Sequence, residues 1–290
     1  MGFSPLHKCT VAMRMLAYGT PADMWDENFR IGETTIIECM KKFSQGVIAN
    51  FGEKYLRRPT REDIQCLLHI GEARGFPGML GSLDCMHWQW RSCPKAWRGQ
   101  YTRGDIKHPS VMLEAVASHD LWIWHAFFGV AGSNNDINVL NRSPLFTEVL
   151  QGRAPECEKD KLYAEHQEGA RKDVERAFGV LQARFAIIRN PSRMWQMNSL
   201  AEIMYACIIL HNMIVEDERD TFRVRYDDNY ESEYDQLSSS STLAGFGHGP
   251  IHGFSTLLEV EEDIRNRDMH RQLKEDLVEH IWQRFGQNQA

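Results

Sequence analysis

Between Gly78 and Ala131 the chain carries three strand-like runs in succession, set inside helical pattern on both sides. The runs are Met79–Trp90, Val111–Ser118 and Leu121–Ala131. Only Asp120 and its neighbours separate the last two, so they should close an antiparallel hairpin. About 75 residues of helical pattern come before, and strongly amphipathic helices follow. That order points to a mixed α/β (α+β) class, with the strands set between helical segments.

Before Gly78 the helical signals are local. Thr20-Pro-Ala-Asp reads as an N-cap with proline at the first helical position. Glu33–Phe51 repeats apolar residues at Ile36, Ile37, Met40, Phe43, Val47, Ile48 and Phe51, near the helical period. Thr60 and Asp63 form a capping-box pair, and that helix should stop at Gly75-Phe-Pro-Gly. Short helices joined by tight turns fit either a helix-turn-helix reader or a plain helical bundle.

After the hairpin, Asn134-Asn-Asp reads as a cap opening a helix towards Leu150. From Lys161 to about Arg189 an amphipathic helix presents Val174, Phe178, Leu181, Phe185 and Ile188. Met197–Glu216 is apolar enough to be buried. Asp227–Phe254 is polar and glycine-rich and reads as a linker. Thr256 and Glu259 form a capping box for a last helix ending near Phe285. The expected divisions are therefore 1–75, a helical region; 76–218, the sheet-bearing domain; 219–254, the linker; and 255–290, the terminal helix.

Charge is unevenly spread. From Glu216 onward there are 8 Lys/Arg against 17 Asp/Glu, a net of −9, which leaves +2 on the body. The total of −7 therefore does not argue against a nucleic-acid partner. Seven scattered cysteines without a CxxC pair suit reduced thiols. No uninterrupted apolar run reaches the roughly 18 residues of a membrane helix, and the first residues show no secretory pattern. No membrane association is expected.

Three acids stand out. Asp84 sits inside the first strand run, where a carboxylate needs partners or a cation. Asp136 opens the helix after the hairpin, a setting that a helix N-cap also explains. Glu175 lies four residues past Arg171, as an ordinary i,i+4 ion pair would. Brought together, three carboxylates would repel unless a hard divalent cation lay between them. Trp88, Trp90, Trp122 and Trp124, at alternate positions, read as one packing face of the sheet.

The stretches GFPGMLGSLDCMHWQWRSCPKAW, HPSVMLEAVASHDLWIWHAFFGVAGSNNDINVLNRSPLF and HQEGARKDVERAFGVLQARFAIIRNP resemble the plant PIF/Harbinger transposases and the nucleases derived from them. So do MYACIILHNMIVEDER and QLKEDLVEHIWQRFG. The resemblance covers nearly the whole chain. It implies an RNase H-like fold and a nuclear DDE-type endonuclease that cuts and joins DNA. Catalysis would use Mg²⁺ or Mn²⁺ held by Asp84, Asp136 and Glu175. Transposon-end DNA, a Myb-like helper protein and a second copy of the chain are the implied partners, and the N-terminal helices would read DNA.

One interval departs from the family pattern. Before the final glutamate, relatives carry a further strand with an Asp-Gly-hydrophobic-Pro motif. Here the interval is QGRAPECEKDKLYAEHQEGARKDVE, with no strand-like run and no Asp-Gly. The resemblance implies that some 35 residues are missing here, an estimate set against usual connection lengths, and with them a central strand and one ligand. Asp160, Glu156 and Glu158 occupy the gap, none in a strand-like setting. The resemblance therefore leaves two functions open: a metal-dependent nuclease, or an inactive copy that binds DNA or protein.

Overall fold

The computed structural model describes residues 3–104, 107–133, 158–237 and 267–286. Three strands follow one another: β1 (Ser82–Gln89), β2 (Ser110–Ala117) and β3 (Ile123–Ala131). They form an antiparallel sheet in the order β1-β2-β3, with Asp84 opposite Ala115 and Ala115 opposite Ala126. The β2–β3 turn is built by Asp120, as its position predicts. The Ser118 hydroxyl donates to Asp120 Oδ1 at 2.5 Å, and the Leu121 N–H closes on the Ser118 carbonyl at 2.9 Å.

Four helices precede the sheet: α1 (Pro5–Tyr18), α2 (Asp23–Phe29), α3 (Glu33–Tyr55) and α4 (Arg61–Ala73). The Thr60/Asp63 capping box is present at α4. After β1 comes the single turn α5 (Arg98–Tyr101). Past β3 lie α6 (Glu158–Arg184), the short α7 (Ala186–Arg189), α8 (Met197–Leu237) and α9 (Arg267–Phe285). The amphipathic segment expected as one helix breaks at Phe185, whose φ −124°, ψ 85° are not helical. Helix α8 runs on to Leu237, into the stretch read as linker, because no glycine or proline interrupts Met197–Leu237.

The N-terminal helices share one core with the sheet. Val11, Leu16, Ile36 and Met40 lie in the same buried cluster as Trp88, Leu113, Val174, Leu181 and Ile203. At the end of α1, Gly19 is left-handed (φ 61°), and a Cβ there would sit 2.6 Å from the Ala186 backbone. Only glycine permits that approach of α1 to α7. The four tryptophans do not form one face. Trp88 and Trp90 enter the main core, whereas Trp122 packs in a second cluster with Tyr55 and Val215, flanked by Trp124. Helix α9 packs on α6 through Ile281, Leu162 and Tyr163.

Part of α8, Met197–Arg219, has the length and hydropathy of a membrane span, but 61% of its apolar window is buried inside the molecule. Its polar pair His211-Asn212 is fully buried. The Ile123 N–H donates to Asn212 Oδ1 at 2.9 Å. Asn212 Nδ2 donates to the Ile123 carbonyl at 2.8 Å and to the Tyr55 carbonyl at 2.6 Å. One amide thus supplies the pairing that a neighbouring strand would give β3, and it also caps α3. Further along the same edge, the Phe128 N–H donates to the Tyr205 hydroxyl at 3.2 Å.

His211 stands beside this amide. Arg184 Nη1 lies 3.2 Å from Nδ1, and Nε2 lies 2.8 Å from the Leu121 carbonyl. Arginine has no acceptor, so Nδ1 accepts and Nε2 carries the proton. The ring is neutral. Burial foremost, and the Arg184 charge in addition, push its pKa from 6.5 down to about 4, against the favourable pull of the Leu121 carbonyl. Leu121 itself has φ 71°, uncommon for a non-glycine residue, and this bond helps hold it there.

Two outcomes are expected. Asn212→Ala leaves three backbone groups without a partner and should cost about 3–4 kcal/mol in urea unfolding; a loss below about 1 kcal/mol would remove the amide from this role. For His211, the unfolded chain takes up a proton below pH 6.5 and the folded chain only below about 4. Acidification across that window therefore favours unfolding, by up to about 3 kcal/mol from this group. His211→Gln should be less stable at pH 7 yet show a shallower loss between pH 6.5 and 4. Equal slopes in parallel denaturation series would contradict the assignment.

Candidate metal centre

Asp84 stands near the start of β1, half-buried. Strand alternation puts it on the face shared by Ser82, Met86 and Trp88. Helix α6 covers that face: Gln182 Nε2 lies 3.6 Å from Met86 Sδ. Just past α7, the Asn190 carbonyl accepts from Trp88 Nε1 at 2.9 Å. At the other end, Asp173 lines a small cleft with Gly81 and Ser118, where β1 begins and β2 ends. The helix therefore runs alongside β1 in the same direction.

Glu175 and Gln182 are seven residues apart, two turns on one flank of α6. Glu175 lies about 10.5 Å back along the helix from the Met86 contact. Asp84 lies about 6.8 Å back along the strand from the same contact. The two acids stand at the same end of one strand–helix layer. The local contact at Glu175 is the predicted one: Arg171 Nε is 3.6 Å from its carboxylate, with both side chains nearly half exposed. Such a pair contributes a few tenths of a kcal/mol.

Asp136 lies outside the described residues. Its segment leaves the sheet at Ala131, opposite Val111, which itself faces Trp88. Glu156 is also outside the described residues, while Glu158 and Asp160 fall in the first turn of α6. Among the described residues, no three His, Cys, Asp or Glu side chains gather closely enough to hold a metal ion. Such a centre would need a donor from elsewhere in the chain.

One acid of this layer goes unnoticed in the sequence. Asp173 is 1% exposed; its carboxylate takes Arg74 Nη1 at 2.5 Å and also pairs with Arg176. It ties the end of α4 to the middle of α6, two residues before Glu175. The signal was its spacing: Ala170, Asp173, Val174, Ala177 and Leu181 form one buried stripe. An acid on such a stripe has to be paired.

The family of plant transposon proteins matches this chain over residues 53–158 and 153–222. The two segments overlap at 153–158. The chain is also similar to Protein ALP1-like of Arabidopsis thaliana, 22% identical over 255 residues, which cover 74% of this chain and 61% of that protein. It thus spans about three fifths of the length of the curated relative it matches. No solved structure matches. The family match places this mixed α/β chain among the transposon-related proteins of plants. The chain is a member of the plant transposon protein family.

The two acids differ in what they do for the fold. Asp173→Ala leaves Arg74 without its buried partner; because the arginines are partly exposed, the loss should be about 2 kcal/mol. Glu175→Gln should stay within about 0.5 kcal/mol of the parent. Thermal unfolding of both variants checks this, and a strongly destabilised Glu175→Gln would make Glu175 a structural residue.

Proposed function

We propose that this chain is a DDE-type endonuclease acting on DNA phosphodiester bonds, with Asp84, Asp136 and Glu175 as the ligands of a divalent cation. The observation that carries the reading is the alignment of α6 with β1, which sets Asp84 and Glu175 at one end of one layer. Their carboxylate oxygens suit a hard cation such as Mg²⁺ or Mn²⁺. When bound, such a cation supplies Lewis-acid activation of the attacking oxygen and stabilisation of the leaving one. The chain's own part is positional: β1 fixes Asp84 through its pairing with Ala115, and Asp173 anchors the helix that presents Glu175.

The sheet order supports an RNase H-like ancestry. Among the described residues β1 is the last strand on its side, where a further strand would join it. The N-terminal helices would then serve as a DNA-reading face built into the shared core. By the resemblance, the chain works in the nucleus on transposon ends, with a Myb-like helper and a second copy of itself.

A second reading is favoured by the division of the family match into two segments that overlap at 153–158. If the strand lost there carried a ligand, the remaining acids would bind metal weakly and misplace the attacking oxygen. The protein would then bind DNA or protein partners without cutting. One assay separates the two: the purified chain with supercoiled plasmid carrying transposon ends, in Mn²⁺. The nuclease reading expects nicking that falls at least a hundredfold in Asp84→Ala and Glu175→Gln. Nicking absent, or unchanged by these substitutions, leaves the binding reading.

A further inference from the structure

At the far end of β1 from Asp84 lies a surface of different character. From Cys85 to Gly104 the sequence has four Lys/Arg and no acid, and from Arg176 to Ala201 four Arg and no acid. In a chain with 40 acidic residues these are unusual gaps. The fold lays them side by side. Trp90 bridges to Ser192 in parallel, the Ser192 N–H donates to the Gln89 carbonyl at 2.8 Å, and Trp90 Nε1 donates to the Met194 carbonyl at 2.7 Å.

Two large aromatic side chains stand out of this seam. Trp195 is 66% exposed and Trp97 is 44% exposed. Trp97 is held upright, with its ring 6.3 Å from Tyr101 at 29° and 6.0 Å from the buried Trp90. Around them Arg91, Lys95, Arg98 and Arg193 are all exposed. None of the four makes an ion pair among the described residues. Arg91, Arg193 and Trp195 line a groove of about 610 Å³ that Lys41, Asp23 and Glu33 also line.

We infer that this seam binds a single-stranded segment of DNA, its bases stacked on Trp97 and Trp195 and its phosphates on the flanking cations. Unpaired cations call for a polyanion. Exposed indole faces call for π-faces that a duplex keeps hidden inside its stack, so an unpaired strand fits and an intact duplex does not. The seam begins six residues past Asp84, about 20 Å along the strand. It is a second surface and not the acid centre. The inference rests on the reading that the chain acts on DNA, but it requires neither cleavage nor a cation.

Fluorescence anisotropy with a labelled mixed-sequence oligonucleotide, single-stranded or annealed, tests it in EDTA. The single strand should bind more tightly than the duplex. Trp97→Ala/Trp195→Ala should weaken single-strand binding roughly tenfold or more and duplex binding less than about twofold. Arg91→Ala/Arg193→Ala should lower the slope of log K against log salt by about 1.4 for single strands. If the double tryptophan variant does not fold, Trp195→Ala alone carries the test, since its ring is mostly in solvent. Unchanged single-strand affinity in the tryptophan variants overturns the inference, as does equal binding of the duplex or of polyglutamate. Because the binding assay runs in EDTA and needs neither a cation nor cleavage, a failed nicking assay and a failed seam are distinguishable results.

Discussion

A three-stranded sheet has an edge problem, and here one side chain settles it. The N–H and C=O of Ile123 in β3 both pair with the Asn212 amide, which also reaches the Tyr55 carbonyl at the end of α3. Strand edge, helix end and the core of α8 therefore meet at one buried group. Left unpaired, those backbone groups would each carry a desolvation cost. His211 adds a second tie to the same turn, and its neutrality follows from burial first and from the neighbouring Arg184 guanidinium second. The apolar remainder of α8 can then fill the core without leaving polar backbone stranded at its centre.

That anchoring fixes the direction of α6 as well. Arg184, the last residue of α6, is held both by His211 and by Glu218 of α8 at 2.5 Å. Nearer its other end, Asp173 holds Arg74. Between the two anchors the stripe Val174–Leu181 lies on the sheet. Glu175 takes no part in that packing. It rides on the flank of a helix whose position other residues determine, an arrangement suited to a side chain whose role is chemical and not structural.

Much of this was legible in the sequence because apolar period is a strong signal. The three strands, the β2–β3 turn at Asp120, the α4 capping box and the buried stripe of α6 all follow from spacing and local caps. What spacing misses is polar residues that work inside the core. His211 and Asn212 were submerged in the apolar run MYACIILHNMIV, where two adjacent polar residues were the available clue. Asp173 was passed over for the same reason, since its neighbour Glu175 looked more like chemistry. The four tryptophans were assigned to one face because alternation was counted across two strands. Register shifts at Met112/Leu113 and Val116/Ala117 intervene, and the two pairs end in different clusters.

Strand β1 emerges as the axis of the molecule. At its start, Asp84 faces the end of the layer where Glu175 stands; at its finish, Trp90 nails down a basic seam with two indoles in solvent. The interval that departs from the family pattern lies between β3 and α6. The seam's two strips, Cys85–Gly104 and Arg176–Ala201, meet in the fold and lie outside that interval. A deletion there bears on metal-ligand number, because ligands act jointly at one point. It bears little on a stacking surface, whose contributions come from separate residues. On the readings proposed above, the two ends of β1 can part company in function: single-strand binding at the seam would not depend on the acids that cleavage would need.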